Sequence, residues 1–276
     1  MTTVGFLYPG HAAEDDYPLA EQILGGDIRL VVEHTYGTDL HAVAELLDLG
    51  SAERLAEGAA RLRSHRPDAV VWACTSGSFV YGWEGALDQV ADLAEAARAP
   101  ASSTSFAFVN AARAVGATRV AVAASYPDDV ATRFASFLAT ADIEVLELTS
   151  HGIDTAAEVG VLSAAQVTEL VLRNDHPDAD AVLVPDTAMR TFGLVPDLES
   201  QLGKPVLTAN QVTIWEGLSL AATAASPAGQ AASPAAADAA PAARTWQDAG
   251  ALFRTPVGVS HHPAGILASP LPGGSE

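Results

Sequence analysis

The stretch Asp68-Ala-Val-Val-Trp-Ala-Cys74-Thr75 returns later in the chain as Asp180-Ala-Val-Leu-Val-Pro-Asp186-Thr187, and a His and a Pro precede both copies. Two further echoes keep the same order. Val4-Gly-Phe-Leu-Tyr8-Pro9 is answered by Val120-Ala-Val-Ala-Ala-Ser-Tyr126-Pro127, and Ala99-Pro100-Ala-Ser-Ser-Thr by Lys204-Pro205-Val-Leu-Thr-Ala. β-strands share a small vocabulary, so one match carries little weight. Three matches in one order indicate an internal duplication, and hence two similar β/α halves related by a pseudo-twofold axis.

The pattern between the echoes fits that frame. Short apolar runs at 4–8, 28–34, 69–74, 119–124, 143–148, 181–185 and 205–208 are expected as strands. Several are almost wholly apolar, as befits parallel strands covered on both faces. Ala-, Leu- and Glu-rich segments with helical spacing lie between them, at 51–64, 84–98, 128–139 and 164–174. The fold class is therefore α/β with parallel sheets. The boundaries drawn from the sequence give a first half of 1–100 with 205–223 and a second half of 101–204. The tract SPAGQAASPAAADAAPAA falls in an Ala/Pro-rich linker at 224–244, which is expected to be disordered because it has no core-forming residues. A C-terminal segment and tail follow at 245–276, where Trp246, Leu252 and Phe253 are set to dock back on the halves and LPGGSE is expected to fray.

Charge narrows the partners. With 34 acidic against 14 basic residues the net charge is −20, a field that repels nucleic acid and anionic membrane surfaces. It also repels a carboxylate, so an anion site here must be built from local N–H groups and hydroxyls. One cysteine allows no internal disulfide and lends no support to a metal site. The start, MTTVGFLYPG, lacks the features of a signal peptide, and no apolar run reaches the roughly 20 residues of a membrane span. A cytoplasmic protein is expected, with further copies of itself as the one macromolecular partner left open.

In doubly wound sheets the ligand site lies beyond the carboxyl ends of the strands, which is where Cys74 and Asp186 fall. If the halves face each other, these side chains approach one substrate from opposite sides, as acid/base or nucleophilic chemistry requires. Thr75 and Ser76 follow the cysteine at a strand-to-helix turn, where N–H groups lower a thiol pKa and hydroxyls donate to carboxylate oxygens. A lone cysteine is more often an inert core residue; its position in the repeat argues otherwise. Asp186 is equally suited to capping a helix that begins near Ala188. Tyr126 is a candidate donor to a substrate oxygen or a half-buried aromatic, and Pro9-Gly10 is expected to line the cleft as a tight turn. His11 and His261-His262 read as exposed histidines, and Arg190 as a surface salt-bridge partner. No G-x-G-x-x-G follows the first strand, and no G-K-[ST] loop or G-x-S-x-G elbow occurs, so nucleotide enzymes and serine hydrolases lose ground.

Ala73-Cys74-Thr75-Ser76-Gly77-Ser78, Ser125-Tyr126-Pro127-Asp128-Asp129, and Leu202-Gly203-Lys204-Pro205-Val206 with Asn210-Gln211 resemble the aspartate/glutamate racemase superfamily. Within it, the branch of maleate cis-trans isomerase and arylmalonate decarboxylase is most similar, over about residues 4–222, and Gly250-Ala-Leu-Phe253 resembles its closing motif. The resemblance implies two Rossmann-like halves and a site between them that needs neither metal nor cofactor. It places Cys74 in the first cysteine slot of the superfamily and Asp186 where a second cysteine should be. Thr75, Ser76, Tyr126 and the backbone at Thr187 match its carboxylate-binding groups. The missing second thiol departs from the two-cysteine racemases. Tyr8-Pro9-Gly10 resembles the decarboxylase, whose own cysteine, at the second slot, is nonetheless absent here.

The expected activity is on a small carboxylate or dicarboxylate through Cys74, foremost a maleate-type cis-trans isomerisation with Cys74 as nucleophile. Decarboxylation of a malonate-like acid with Cys74 as proton donor is the alternative, and racemisation by Cys74 and Asp186 ranks third. A carboxylate-binding sensor on the same frame is the non-enzymatic rival.

Overall fold

The computed structural model describes residues 1–10, 12–35, 37–225 and 249–255. His11, His261-His262, Trp246, and the linker beyond residue 225 lie outside the described residues. The rest forms two four-stranded parallel sheets of identical order. The first runs β2-β1-β3-β4, with β1 at Thr2–Pro9, β2 at Ile28–Thr35, β3 at Ala69–Trp72 and β4 at Ala101–Ser103. The second runs β6-β5-β7-β8, with β5 at Arg119–Ala124, β6 at Glu144–Ser150, β7 at Ala181–Val184 and β8 at Val206–Thr208. The duplication read from the sequence is thus a duplication of topology. The central strands are buried along almost their whole length, and all four residues of β3 and of β7 are buried, which is why their sequences are apolar without alternation.

Two short strands differ from the boundaries drawn at 101 and 205. β4 pairs with β3 in the first sheet, through Val70 beside Ala101, and β8 pairs with β7 in the second, through Val182 beside Val206. Each half is completed by the strand next along the chain. The crossing between halves is made instead by two buried helices. Thr104–Ala114 leads from the first sheet to the second. Ala209–Ala225 returns from β8 to lie on the first sheet, against β1, β3 and β4. The returning helix is buried from Ala209 to Ala221, and it extends through residues 224 and 225, which the sequence had assigned to the linker.

Past the linker, the helix Ala251–Arg254 buries Leu252 and Phe253, the latter edge-on to Phe192 at 6.0 Å. Gln211 Nε2 donates to the Ala249 carbonyl at 3.0 Å, and the Ala251 N–H donates to the Glu199 carboxylate at 2.8 Å. No described helix is long and apolar enough to cross a membrane.

Gly217 sets how closely the returning helix approaches. A Cβ there would collide with Val4 Cγ1 and lie 3.2 Å from Val71 Cγ2. Both are stiff β-branched side chains in the middle of the sheet. Gly217→Ala gains about 1 kcal/mol of helix propensity but costs about 1–3 kcal/mol in overpacking. The expected result is a net loss of stability, read as a lower urea midpoint with an unchanged m-value.

Candidate functional site

Both parallel sheets end at a common cavity of about 260 Å³. Cys74 comes two residues after the end of β3, and Asp186 two residues after the end of β7; both line the cavity. Beyond Trp72, the Ala73 N–H still reaches the Leu7 carbonyl at 2.8 Å. The chain then turns into the short helix Ser76–Phe79. The turn presents the thiol sulfur, and the Gly77 N–H donates to Cys74 Sγ at 3.3 Å. Gly77 is required for this approach, since a Cβ would stand 3.0 Å from Sγ and 3.0 Å from Trp72 Cζ2. Ser76 Oγ lies 3.8 Å from the sulfur.

Burial dominates the electrostatics of Cys74. It pushes the thiol up to about 11, against the pull of the Gly77 and Ser76 hydrogen bonds and with a further push from the Asp186 charge. The thiol-lowering turn read from the sequence is therefore present, but it is outweighed. At neutral pH Cys74 is a protonated acid, not a resident thiolate.

Asp186 is fixed from both halves. Ser125 Oγ donates a short hydrogen bond to Oδ2, and the Ala188 N–H donates to Oδ1 at 2.9 Å. The second bond closes a turn two residues long; the first helical turn after it begins only at Phe192, so Asp186 is not the helix N-cap it might have been. Tyr8, from the first sheet, donates its hydroxyl to the Thr187 carbonyl at 2.6 Å, and Tyr126, from the second, to the Pro185 carbonyl at 2.7 Å. Asn210 Nδ2 adds a bond to the Thr187 carbonyl at 3.2 Å. Burial, reinforced by Asp186, raises the pKa of both tyrosines, Tyr8 being relieved in part by the Ala13 N–H. They act as neutral hydroxyls.

The Tyr126 hydroxyl donates to the Pro185 carbonyl beside the turn that carries Asp186, and it also meets the Thr75 and Ser76 side chains. Thr75 is wholly buried, its carbonyl accepting from Ser105 Oγ at 2.8 Å. Pro9, Gly10, Ser76 and Thr187 do line the cavity, and Gly10 takes the left-handed conformation (φ 65°) that a tight turn after β1 requires. Arg190 pairs with Asp15 at 2.8 Å near the surface.

One wall of the cavity was not visible in the sequence. The segment after β2 brings Leu40 and His41 across to the second half, where Leu40 forms an antiparallel bridge with Thr155. The His41 N–H donates to the Asp154 carbonyl at 2.7 Å, and His41 Nδ1 lies 3.0 Å from the Ile153 carbonyl. The Asp39 carboxylate accepts from the Ala157 N–H at 3.0 Å. His41 thereby lines the cavity with Nε2 3.9 Å from Asp186 Oδ2. Leu40, Leu46, Leu49 and Pro9 contribute apolar lining to the cavity, and Cys74, Ser76, His41, Asp39 and Asp186 contribute polar lining.

The model of a family described as arylmalonate decarboxylase matches residues 18–232. An arylmalonate decarboxylase of Bordetella bronchiseptica is 30% identical over 198 residues, which is 68% of this chain and 82% of that protein. A maleate isomerase of Geobacillus stearothermophilus is 29% identical over 119 residues, 43% of this chain and 47% of the relative. Among solved structures, a liganded double mutant of arylmalonate decarboxylase, with a glycine changed to cysteine and a cysteine to serine, matches with a TM-score of 0.74 and 26% identity over 92% of this chain and 99% of that one.

The raised thiol has a measurable consequence. Alkylation by iodoacetamide should rise about tenfold per pH unit well past pH 9 and level only near pH 11. The urea-unfolded chain should level near pH 8.5, as a free thiol does. Mass-spectrometric rates at Cys74 across pH 7–11 would check this.

Proposed function

The chain belongs to the arylmalonate decarboxylase family, and from that premise we propose that it removes CO2 from a small malonate-type diacid, with Cys74 protonating the carbon left behind. The observation that carries this is the placement of Cys74, whose buried side chain lines the cavity at the end of the first sheet. A proton donor must arrive protonated, and burial holds Cys74 in that form with its pKa near 11. A nucleophilic thiolate would have to be generated at a cost of about 5 kcal/mol at pH 7.

The chemistry follows from the mixed lining of the cavity. One carboxylate of the diacid meets the apolar lining contributed by Leu40, Leu46 and Leu49, where trading a charge for neutral CO2 is favoured. Its C–C bond breaks, CO2 leaves, and the electron pair passes into the remaining carboxylate as an enediolate. The retained oxygens meet the polar lining groups, with the Ser76 hydroxyl among the donors. The S–H proton of Cys74 then goes to the α-carbon, giving the monoacid. Solvent restores the proton on sulfur, and the Gly77 N–H eases the transient thiolate.

Maleate cis-trans isomerisation, the activity named for the second relative, keeps a specific point in its favour. The Gly77 N–H and Ser76 hydroxyl both face Sγ and stabilise the thiolate that addition to an alkene requires. Incubation with phenylmalonate and with maleate in D2O, followed by proton NMR, separates the two. The expected result is phenylacetate carrying deuterium at the α-carbon, with maleate unchanged. Cys74→Ala should lower decarboxylation by about 10²–10⁴-fold, the usual worth of a positioned acid. Formation of fumarate, or full turnover in Cys74→Ala, would reject the proposal.

A further inference from the structure

One buried side chain outside the cavity joins two elements that line it. Gln89, in the helix Gly82–Ala97, donates from Nε2 to the Gly50 carbonyl at 2.7 Å and to the Gly77 carbonyl at 2.9 Å. Both amide hydrogens are thereby used. Its Oε1 is buried and has no hydrogen-bond partner among the described residues, and reversing the amide would set that oxygen against two carbonyls. The two acceptors therefore fix how the side chain lies.

Each acceptor belongs to a part of the site. Gly50 closes the helix Val43–Leu49, which supplies Leu46 and Leu49 to the cavity lining. Gly77 belongs to the thiol turn, and its N–H donates to Cys74 Sγ at 3.3 Å. The two parts touch. A Cβ on Gly50 would collide with the Gly77 carbonyl oxygen and stand 2.6 Å from Gln89 Nε2. Gly50 has a φ of −89°, which any residue adopts, so the close approach alone requires glycine there.

The short helix Ser76–Phe79 leaves the Gly77 carbonyl to Gln89. The Phe79 N–H donates to Thr75 and the Val80 N–H to Ser76, but the Tyr81 N–H, next in line for Gly77, turns to Ser78 at 3.1 Å. Glycine has the widest choice of backbone angles and no side chain to pin it. Its place beside the sulfur is held by the bond to Sγ on one side and by Gln89 on the other.

We propose that Gln89 is a positioning residue for the thiol: by holding the Gly77 carbonyl it keeps the Gly77 N–H on Cys74 Sγ, and through Gly50 it sets the Leu46 and Leu49 lining against the thiol turn. The Tyr81 hydroxyl donates to the Leu47 carbonyl and so holds the same lining helix without touching the Gly77 carbonyl, which lets the two roles be parted. The placement of the N–H rests on geometry alone; its effect on rate rests on the decarboxylation reading.

Ser76-Gly77 is the only Ser-Gly pair in the sequence, so carbonyl-13C serine with 15N glycine gives the Gly77 amide one carbon-coupled NMR signal in the full chain. Gln89→Met keeps the side-chain length and loses both donors. It should move the Gly77 amide proton toward its value in the urea-unfolded chain, and Tyr81→Phe should leave it in place. Gln89→Glu, with at most one donor, should fall between, and it carries the comparison if Gln89→Met does not fold. On phenylmalonate, Gln89→Met should lower kcat by roughly 10–10²-fold with KM within about threefold, the pattern of a misplaced reacting group in a site that still binds. A Gly77 signal unmoved in the Gln89 variants, or moved as far by Tyr81→Phe, would overturn the proposal. So would a Gln89→Met kcat within about twofold of a parent that releases CO2. If the parent releases none, decarboxylation falls and the Gly77 signal decides the positioning role by itself.

Discussion

Two tyrosine hydroxyls, Tyr8 from one sheet and Tyr126 from the other, grip the carbonyls on either side of Asp186. Each is buried, so each bond is made in a low-dielectric setting where losing it strands two polar groups. The two bonds do different work: Tyr126 holds the turn to its own sheet, whereas Tyr8 reaches across and makes the placement of Asp186 depend on the first half. Ser125 and the Ala188 N–H then leave the carboxylate little choice of orientation. The cavity depends on this grip, because its polar wall is the turn so held.

The grip also accounts for the division of labour in the site. The side chain at the equivalent point of the other sheet, Cys74, receives an N–H from Gly77 but is otherwise surrounded by burial. Matching positions in a duplicated frame thus carry different groups, a carboxyl at the end of one sheet and a thiol at the end of the other. A pair of identical groups would suit a reaction that runs symmetrically. This pair suits one that starts with a carboxylate and ends with a proton delivered to carbon.

Much of this was legible in the residues, and the reasons are physical. The strands at 4–8, 119–124 and 181–185 announce themselves because burial on both faces demands continuous apolar sequence. The placement of Cys74 and Asp186 just past two strand ends was legible because a repeat keeps register, and register fixes which residue stands at a strand end. Three things were not legible. His41 lies in Thr38-Asp39-Leu40-His41, a loop with no periodicity; only the long-range bridge of Leu40 to Thr155 brings it to the site. The bond from the Tyr126 hydroxyl to the Pro185 carbonyl leaves no trace in the sequence because its acceptor is distant along the chain and is a backbone atom. The sheet membership of Ala101–Ser103 and Val206–Thr208 was misassigned because strands so short carry no signal of which edge they join.

The helix Ala209–Ala225 lies on the first sheet although the chain reaches it only after building the second. The first sheet is contiguous in sequence, but the helix that covers its apolar face around Val4 and Val71 arrives only at the far end of a long loop. Contacts of such sequence separation slow folding, since loop entropy is lost before burial rewards it. During synthesis the second half can close on residues already emerged, while the first must wait for its cover. The half made first is thus the half whose cover is made last.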